Sequence, residues 1–321
     1  MASLLILAYN EDKTIKSLLD NLYEHFEKII LLDDNSSDIT YKKCEEYINK
    51  ENFIYYKNKK NLGAGKSFEV GLDIFNKLDS KYLVKIDGDN QFKIEDIKYL
   101  SKKGQDEDFD FIKCDRFWEN GIKGRIPFIR YLGNALASLL IKLATGNWKI
   151  NDPLNGLFFI SKKVTLNFTV RNLFKRYGYP FYLIYYVINL SKENKLKIGQ
   201  YQNIVKYGNE KSQLKANTML FKLLYFTFAS YYKKIKTKLK YSNLQFSALI
   251  DIISQLFLFL SFYSVIRIAM IIESAPKGSW LILSLLSLLI SIILLFVSQN
   301  IENGIETNNL EKINNYEFNK K

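Results

Sequence analysis

From its fourth residue the chain alternates short apolar runs with stretches whose apolar positions recur three and four apart. The runs at 4–8, 29–32, 53–57 and 82–86 predict strands. The stretches at 12–26, 38–48 and 67–78 predict helices between them; in the first, Ile15, Leu18, Leu19 and Leu22 share one face. Strand and helix alternating at this pace predict an α/β, Rossmann-like fold, with a mostly parallel sheet and right-handed crossovers. Such sheets bind ligands outside the carboxyl ends of their strands. Residues 8–11, 33–38 and 87–91 each follow a predicted strand, so they are expected to converge on one crevice.

Beyond residue 109 the pattern is less regular. A helix is expected over 126–144, following Pro127, then a turn over 152–156 and a short strand over 157–160. The end of the chain differs in kind. Residues 244–272 are apolar except for Asp251 and Arg267, and 280–298 carry no charge. Roughly 20 helical residues cross a hydrocarbon core of about 30 Å, so each segment is long enough to span one. Pro276 and Gly278, between them, suit a tight hairpin. The expected organisation is a first domain over 1–215, a basic amphipathic segment over 216–243, spans over about 244–271 and 280–298, and a polar cytoplasmic tail over 300–321.

Charge narrows the partners. The 321 residues carry a net +13, which suits a polyanion: nucleic acid, an anionic membrane face or a phosphorylated substrate. The dense cluster Lys233, Lys234, Lys236, Lys238 and Lys240 directly precedes the apolar region, which favours the membrane surface. By the positive-inside rule it places the first domain on the cytoplasmic side of a two-span membrane protein. No RNA-binding sheet motif, zinc knuckle or helix-turn-helix is present, so nucleic acid is not expected. The aromatic and lysine-rich residues 217–240 fit either the membrane interface or a helix packed on the first domain. Cys44 and Cys114 are far apart and are expected as reduced thiols. The first apolar run is too short for a signal peptide and is expected as a buried strand. The sole histidine, His25, falls on the first helix, away from the strand ends, and is expected to be structural.

Candidate chemistry centres on Asp87-Gly88-Asp89. Two carboxylates one residue apart at a strand end reach a hard divalent cation, although the same triplet is ordinary turn chemistry. If 87–91 is extended, Asp87, Asp89 and Gln91 face one side. Asp34 and Glu11, also at strand ends, can accept hydrogens from a base and a ribose. Asp38, with Ser36 and Ser37, equally suits helix capping. The segment Asn61-Leu62-Gly63-Ala64-Gly65-Lys66 allows close backbone approach, with Lys66 available to a phosphate, or is simply a loop and helix start. A hydroxyl acceptor needs a base, for which Asp152 is the candidate. An ionised phosphate acceptor needs cationic positioning instead, for which Arg116 and Arg130 are candidates; either arginine also suits a surface ion pair.

In order, the motifs are Ala8-Tyr9-Asn10-Glu11, Leu32-Asp33-Asp34-Asn35-Ser36-Ser37-Asp38, Asn61 to Lys66 with Gly71, Asp87-Gly88-Asp89-Asn90-Gln91 and Asn151-Asp152-Pro153-Leu154-Asn155-Gly156. The set resembles the family 2 glycosyltransferases of GT-A fold, and among them the polyprenyl-phosphate glycosyltransferases that include dolichyl-phosphate mannose synthase. The resemblance covers about 3–215, and the paired C-terminal spans match membrane-anchored members, as a two-helix transmembrane hairpin. It implies a metal-dependent, inverting transfer of a sugar from a UDP- or GDP-sugar to a polyprenyl phosphate such as undecaprenyl or dolichyl phosphate. It implies Mg²⁺ or Mn²⁺ on Asp87, Asp89 and Gln91. It implies a nucleotide pocket from Ala8, Tyr9, Glu11, Asp34, Lys66, Asp87 and Gly88, and an acceptor phosphate on Arg116 and Arg130, with Lys123 and Arg125 in a nearby loop. Asn155 stands where the family has serine, and Tyr182, Leu183 and Ile184 stand where many relatives carry a glutamate. Lys211-Ser212 reverses a family element and Lys206 is expected as a solvated lysine. Two alternatives stay open: a family 2 transferase acting on a hydroxyl of a glycolipid or polysaccharide with Asp152 as base, and a non-catalytic membrane scaffold. A homo-oligomer is compatible with the sequence, which does not disclose the oligomeric state.

Overall fold

The computed structural model describes residues 1–117, 128–203, 216–270, 277–305 and 310–313. Contacts divide them into two units. The first takes in Met1–Lys142, Trp148–Leu224 and the described residues after 309; the second takes in Leu143–Asn147 and Tyr225–Asn308.

In the first unit the strands are β1 (Ser3–Ala8), β2 (Ile29–Asp33), β3 (Phe53–Lys57), β4 (Tyr82–Asp87), β5 (Phe111–Asp115), β6 (Phe158–Ser161), β7 (Ile198–Gln202) and β8 (Leu310–Ile313). Among the described residues they form one eight-stranded sheet, ordered β3-β2-β1-β4-β6-β5-β7-β8. Every pairing is parallel except those of β6, which runs antiparallel to β4 and β5. The helices are α1 (Ile15–Leu22), α2 (Thr40–Lys43), α3 (Glu45–Ile48), α4 (Ala64–Phe75), α5 (Ile94–Asp106), α6 (Phe128–Thr145), α7 (Lys162–Thr165), α8 (Tyr179–Asn194), α9 (Ala216–Lys238), α10 (Gln245–Met270) and α11 (Lys277–Ile305).

The four expected strands are present, and β1 and β2 are buried along their whole length. That explains their unbroken apolar runs: a central parallel strand is covered on both faces. The α1 face Ile15, Leu18, Leu19 and Leu22 packs into this core beside Leu4, Ile6, Ile29 and Val84. The helix expected over 12–26 is shorter: residues 12–14 form a turn before α1, and 23–25 a single 3₁₀ turn after it. That expected over 38–48 is split at Cys44 into α2 and α3. α5, β5, α8, β7 and β8 were not anticipated. β5 carries the buried Lys113 in the middle of its run, and α5 turns Ser101 and Gly104 inward, so neither shows a clean apolar period.

In the second unit α10 and α11 are the two long apolar helices expected. They are long and apolar enough to cross a membrane. Leu256, Phe259, Leu285 and Leu289 are exposed on their outer faces, unlike a core helix of a soluble protein. Their inner faces meet along serines. Ser247 pairs with Ser298 at 2.9 Å, Ser254 with Ser291 at 3.2 Å and Ser261 with Ser284 at 3.3 Å, so every seventh residue of each helix contributes one small hydroxyl. Small residues allow close backbone approach where lipid provides no hydrophobic drive between helices. At one end of the pair Lys238 Nζ donates to Asp251 Oδ2 at 2.8 Å and Ser247 Oγ at 2.9 Å, and lies 3.0 Å from Glu302 Oε2.

Candidate functional site

The carboxyl ends of β1, β2 and β4 open on a cavity of about 600 Å³. Ala8, Tyr9 and Glu11 come to its wall from β1, Asp34 from β2, and Asp87 and Asp89 from β4. The three loops expected to converge do meet. The first two turn through left-handed Asn10 (φ 59°) and Asn35 (φ 65°), conformations asparagine tolerates, and are tied to each other there. Asn10 Oδ1 accepts Ser37 N at 2.9 Å, and Ser36 Oγ accepts Asn10 N at 2.9 Å. Asp38 is not the N-cap of α2, which is Ile39; its oxygens tie the loop by accepting Thr40 N at 3.0 Å and Asp12 N at 3.2 Å. Burial opposes ionisation there, but these hydrogen bonds outweigh it and hold the Asp38 carboxyl below its ordinary value.

Asp34 faces the cavity with both oxygens engaged. Oδ1 accepts Leu62 N at 2.8 Å and Asn58 Nδ2 at 2.9 Å, and Oδ2 accepts Gly63 N at 2.8 Å. Its observed partner is therefore the glycine-rich loop. The two glycines of that loop answer a packing demand. A Cβ on Gly63 (φ +88°) would stand 2.6 Å from Arg176 Cα, and one on Gly65 would stand 2.2 Å from Phe174 carbonyl oxygen. The close approach is thus to the 174–176 segment, which brings Arg176 and Tyr177 to the cavity wall. Lys66, expected at a phosphate, instead pairs with Glu69 and is not on the wall. The cation that lines the cavity is Arg176, whose Nη1 donates to Asn61 Oδ1 at 3.2 Å. Nothing local in the sequence marked Arg176, since it is over a hundred residues from the loop it packs against.

The extended geometry expected for 87–91 is corrected. β4 ends at Asp87, the chain turns, and Asn90 is left-handed (φ 54°). Asp89 Oδ1 accepts Gln91 N at 3.1 Å, closing the turn, and Gln91 is off the cavity wall. Asp87 and Asp89 do share the wall. Among the described residues no three His, Cys, Asp or Glu side chains gather to hold an ion unaided. Two carboxylates on a cavity fit a hard divalent cation that completes its shell with phosphate oxygens and water.

Behind Asp87 lies a lysine that sequence reasoning passed over. Lys85 is fully buried, and its Nζ donates to Asp87 Oδ1 at 2.6 Å and to Gly156 carbonyl oxygen at 3.1 Å. A Cβ on Gly156 would stand 2.1 Å from Asp87 Oδ2, so any larger residue there would displace the Asp87 carboxylate. The signal was a charge inside the run Tyr82-Leu83-Val84-Lys85-Ile86, two residues before the first aspartate and therefore on the same strand face.

The turn that supplies Gly156 also supplies Asp152 (φ 46°), which is fully buried. Arg116 grips it with Nε to Oδ2 at 2.7 Å and Nη2 to Oδ1 at 2.6 Å, and its backbone N adds a bond to Oδ2 at 3.0 Å. Burial would raise the Asp152 pKa, but the guanidinium outweighs it and holds the carboxyl below its ordinary value of 3.8. The arginine and the aspartate, read separately as phosphate ligand and base, are one bidentate pair, mostly buried rather than on the surface. Arg130 lies in α6, but its side chain is outside the described residues, as are Lys123, Arg125, Lys206, Lys211 and Ser212. His25 is exposed in a single 3₁₀ turn after α1 and is absent from the cavity wall. Cys44 and Cys114 are free and buried, and burial pushes the Cys44 thiol up to about 12.

Residues 3–166 match the model of the glycosyl transferase family 2. The chain belongs to this family. A relative from Methanocaldococcus jannaschii, an uncharacterized protein, is 36% identical over 143 residues, which is 44% of this chain and 60% of that protein. The chain thus matches less than two thirds of that relative. The UDP-N-acetylglucosamine–dolichyl-phosphate N-acetylglucosaminyltransferase of Methanococcus voltae is 27% identical over 237 residues, covering 69% of this chain and 92% of that enzyme. The glucosyl-3-phosphoglycerate synthase of Mycobacterium tuberculosis, solved with Mg²⁺ and UDP, superposes with a TM-score of 0.55 at 16% identity, covering 72% of this chain and 79% of that one. The same enzyme has been solved with Mn²⁺ and UDP. The likeness to the solved structures shows the GT-A fold.

Proposed function

We propose that this glycosyltransferase moves a sugar from a nucleotide diphosphate donor to a polyprenyl phosphate at a membrane. The observation that supports it most is the similarity to a dolichyl-phosphate transferase over 92% of that enzyme's length. The two long apolar helices with exposed outer faces agree with a lipid acceptor.

In this reading the cavity at the ends of β1, β2 and β4 takes the donor. Tyr9, exposed on the wall, offers a ring face to the base, and Glu11 offers acceptors to the ribose. Asp34 holds the glycine-rich loop, and through it the floor beneath the nucleotide. Arg176 gives the acidic wall a cation for the diphosphate. Asp87 and Asp89 would hold Mg²⁺ or Mn²⁺, which supplies charge neutralisation for the leaving diphosphate. Arg116 and Arg130 would orient the acceptor phosphate toward the anomeric carbon. A phosphate acceptor is ionised at neutral pH and needs no base, which suits an Asp152 already committed to Arg116. The hydroxyl-acceptor reading would need Asp152 free to take a proton, against both its depressed pKa and its occupied oxygens.

The test is sugar transfer by the full chain in detergent, with polyprenyl phosphate, Mg²⁺ or Mn²⁺ and a panel of UDP- and GDP-sugars. A metal-dependent lipid-phosphate sugar, lost in Asp89→Ala, is the expected product and names the donor. Donor turnover without a lipid product would sink the lipid-phosphate reading. Absence of metal-linked nucleotide binding would favour a scaffold.

A further inference from the structure

We propose that Lys85 is a resident cation of the donor site: by occupying one oxygen of Asp87 it makes binding of the divalent ion depend on the nucleotide diphosphate. This rests on the donor-site reading above.

A lysine is almost never fully buried unless paired, and a buried ion pair is a weak source of stability compared with apolar packing. Lys85 sits in the sheet between two apolar partners, Leu5 on β1 and Phe158 on β6. A leucine would suit that position if only the core mattered. Its ammonium is instead spent on two groups at the mouth of the site, Asp87 Oδ1 at 2.6 Å and Gly156 carbonyl oxygen at 3.1 Å, with the Tyr179 ring centroid 5.3 Å away. Asp87 Oδ2 lies close to Gly156, where a Cβ would stand 2.1 Å from it. One oxygen of the carboxylate is thus engaged by a buried ammonium from within the sheet.

Two consequences follow for a dication. The ammonium repels it across the shared carboxylate, and it competes with the ion for Asp87 Oδ1. Asp87 and Asp89 alone are then a poor ion site, and two diphosphate oxygens with their negative charge make it a good one. The nucleotide and the ion recruit each other, and by linkage the coupling is the same in both directions. Lys85 is thus a positioning residue, acting through Asp87 and not on the reacting atoms.

The experiment measures Mn²⁺ binding to the full chain in detergent by calorimetry, with and without UDP, for the wild type, Lys85→Met and Lys85→Arg. The wild type is expected to bind Mn²⁺ at least about tenfold more tightly with UDP than without it. Lys85→Met is expected to bind Mn²⁺ alone about tenfold more tightly than the wild type, with the Mn²⁺–UDP coupling reduced by the same factor. Lys85→Arg, which keeps the charge, should retain wild-type coupling. Unchanged or weaker binding of Mn²⁺ alone to folded Lys85→Met overturns the proposal, as does a wild type indifferent to UDP in its Mn²⁺ affinity. A wild type that binds UDP and Mn²⁺ while Lys85→Met shows no shift removes only the Lys85 role. A wild type that binds neither removes the donor-site reading and the Lys85 role with it.

Discussion

Lys85 in the α/β unit and Lys238 in the helical unit are both buried, and they differ in what surrounds them. Lys238 Nζ is enclosed by Asp251, Glu302, Ser247 and Ser298, a set whose two carboxylates also meet Tyr231 and Lys234. Two carboxylates and two hydroxyls surround the ammonium there, away from the mid-length of α10 and α11. Lys85 has one carboxylate, and that carboxylate also faces the cavity. The contrast extends to the units. Buried polar groups of the helices face one another and join α10 to α11. In the sheet, Asp34, Asp87 and Asp89, at or just beyond strand ends, line a cavity. A saturated buried charge fixes a fold; an incompletely saturated one at a cavity leaves capacity for a ligand.

The comparison can be broken at several points. The largest effect is expected at Asp89, where removal of the carboxylate should lower sugar transfer by about 10³-fold with little change in the melting midpoint. A large fall in melting temperature instead would make Asp89 a turn residue first. Gly156→Ala comes next: its methyl meets Asp87 Oδ2, and transfer should fall by about 10²-fold, since a 1 Å misplacement has that scale. Lys238→Met should weaken the helical unit by about 3–5 kcal/mol in detergent unfolding, since it leaves buried carboxylates underpaired, while Mn²⁺–UDP binding stays at wild-type strength. Loss of nucleotide binding in that variant would erase the distinction between the two lysines.

Smaller effects sharpen the picture. The Arg116–Asp152 pair has a depressed carboxylate, so its stabilisation is complete above the ordinary aspartate value of 3.8 and is lost as pH falls below it toward the folded pKa. Unfolding followed from about pH 5 to pH 3 should show wild-type stability falling more steeply than that of Asp152→Asn. Ser254→Ala removes one rung between α10 and α11 and should change stability by only about 0.6 kcal/mol, the usual size of an interhelical hydrogen bond in a membrane.

The alternation of apolar runs and helical periods determined the α/β class, the first four strands and the three loops that line the cavity. Central parallel strands are covered on both faces, and that leaves a strong local signature in β1, β2 and β4. The two apolar helices were as legible, because their length and lack of charge are local properties. β5 was not, since Lys113 interrupts its run, nor was the antiparallel placement of β6 between β4 and β5. At the site, the order of motifs located Glu11, Asp34, Asp87 and Asp89 on one wall. Only the tertiary structure decided their partners. It gave the glycines of the 61–66 loop to the 174–176 segment, put Arg176 where Lys66 was expected, bound Arg116 to Asp152 and set Lys85 beneath Asp87. Local pattern records burial and chain direction. Which charge meets which depends on contacts between residues far apart in sequence, and those exist only once the sheet has brought its strand ends together.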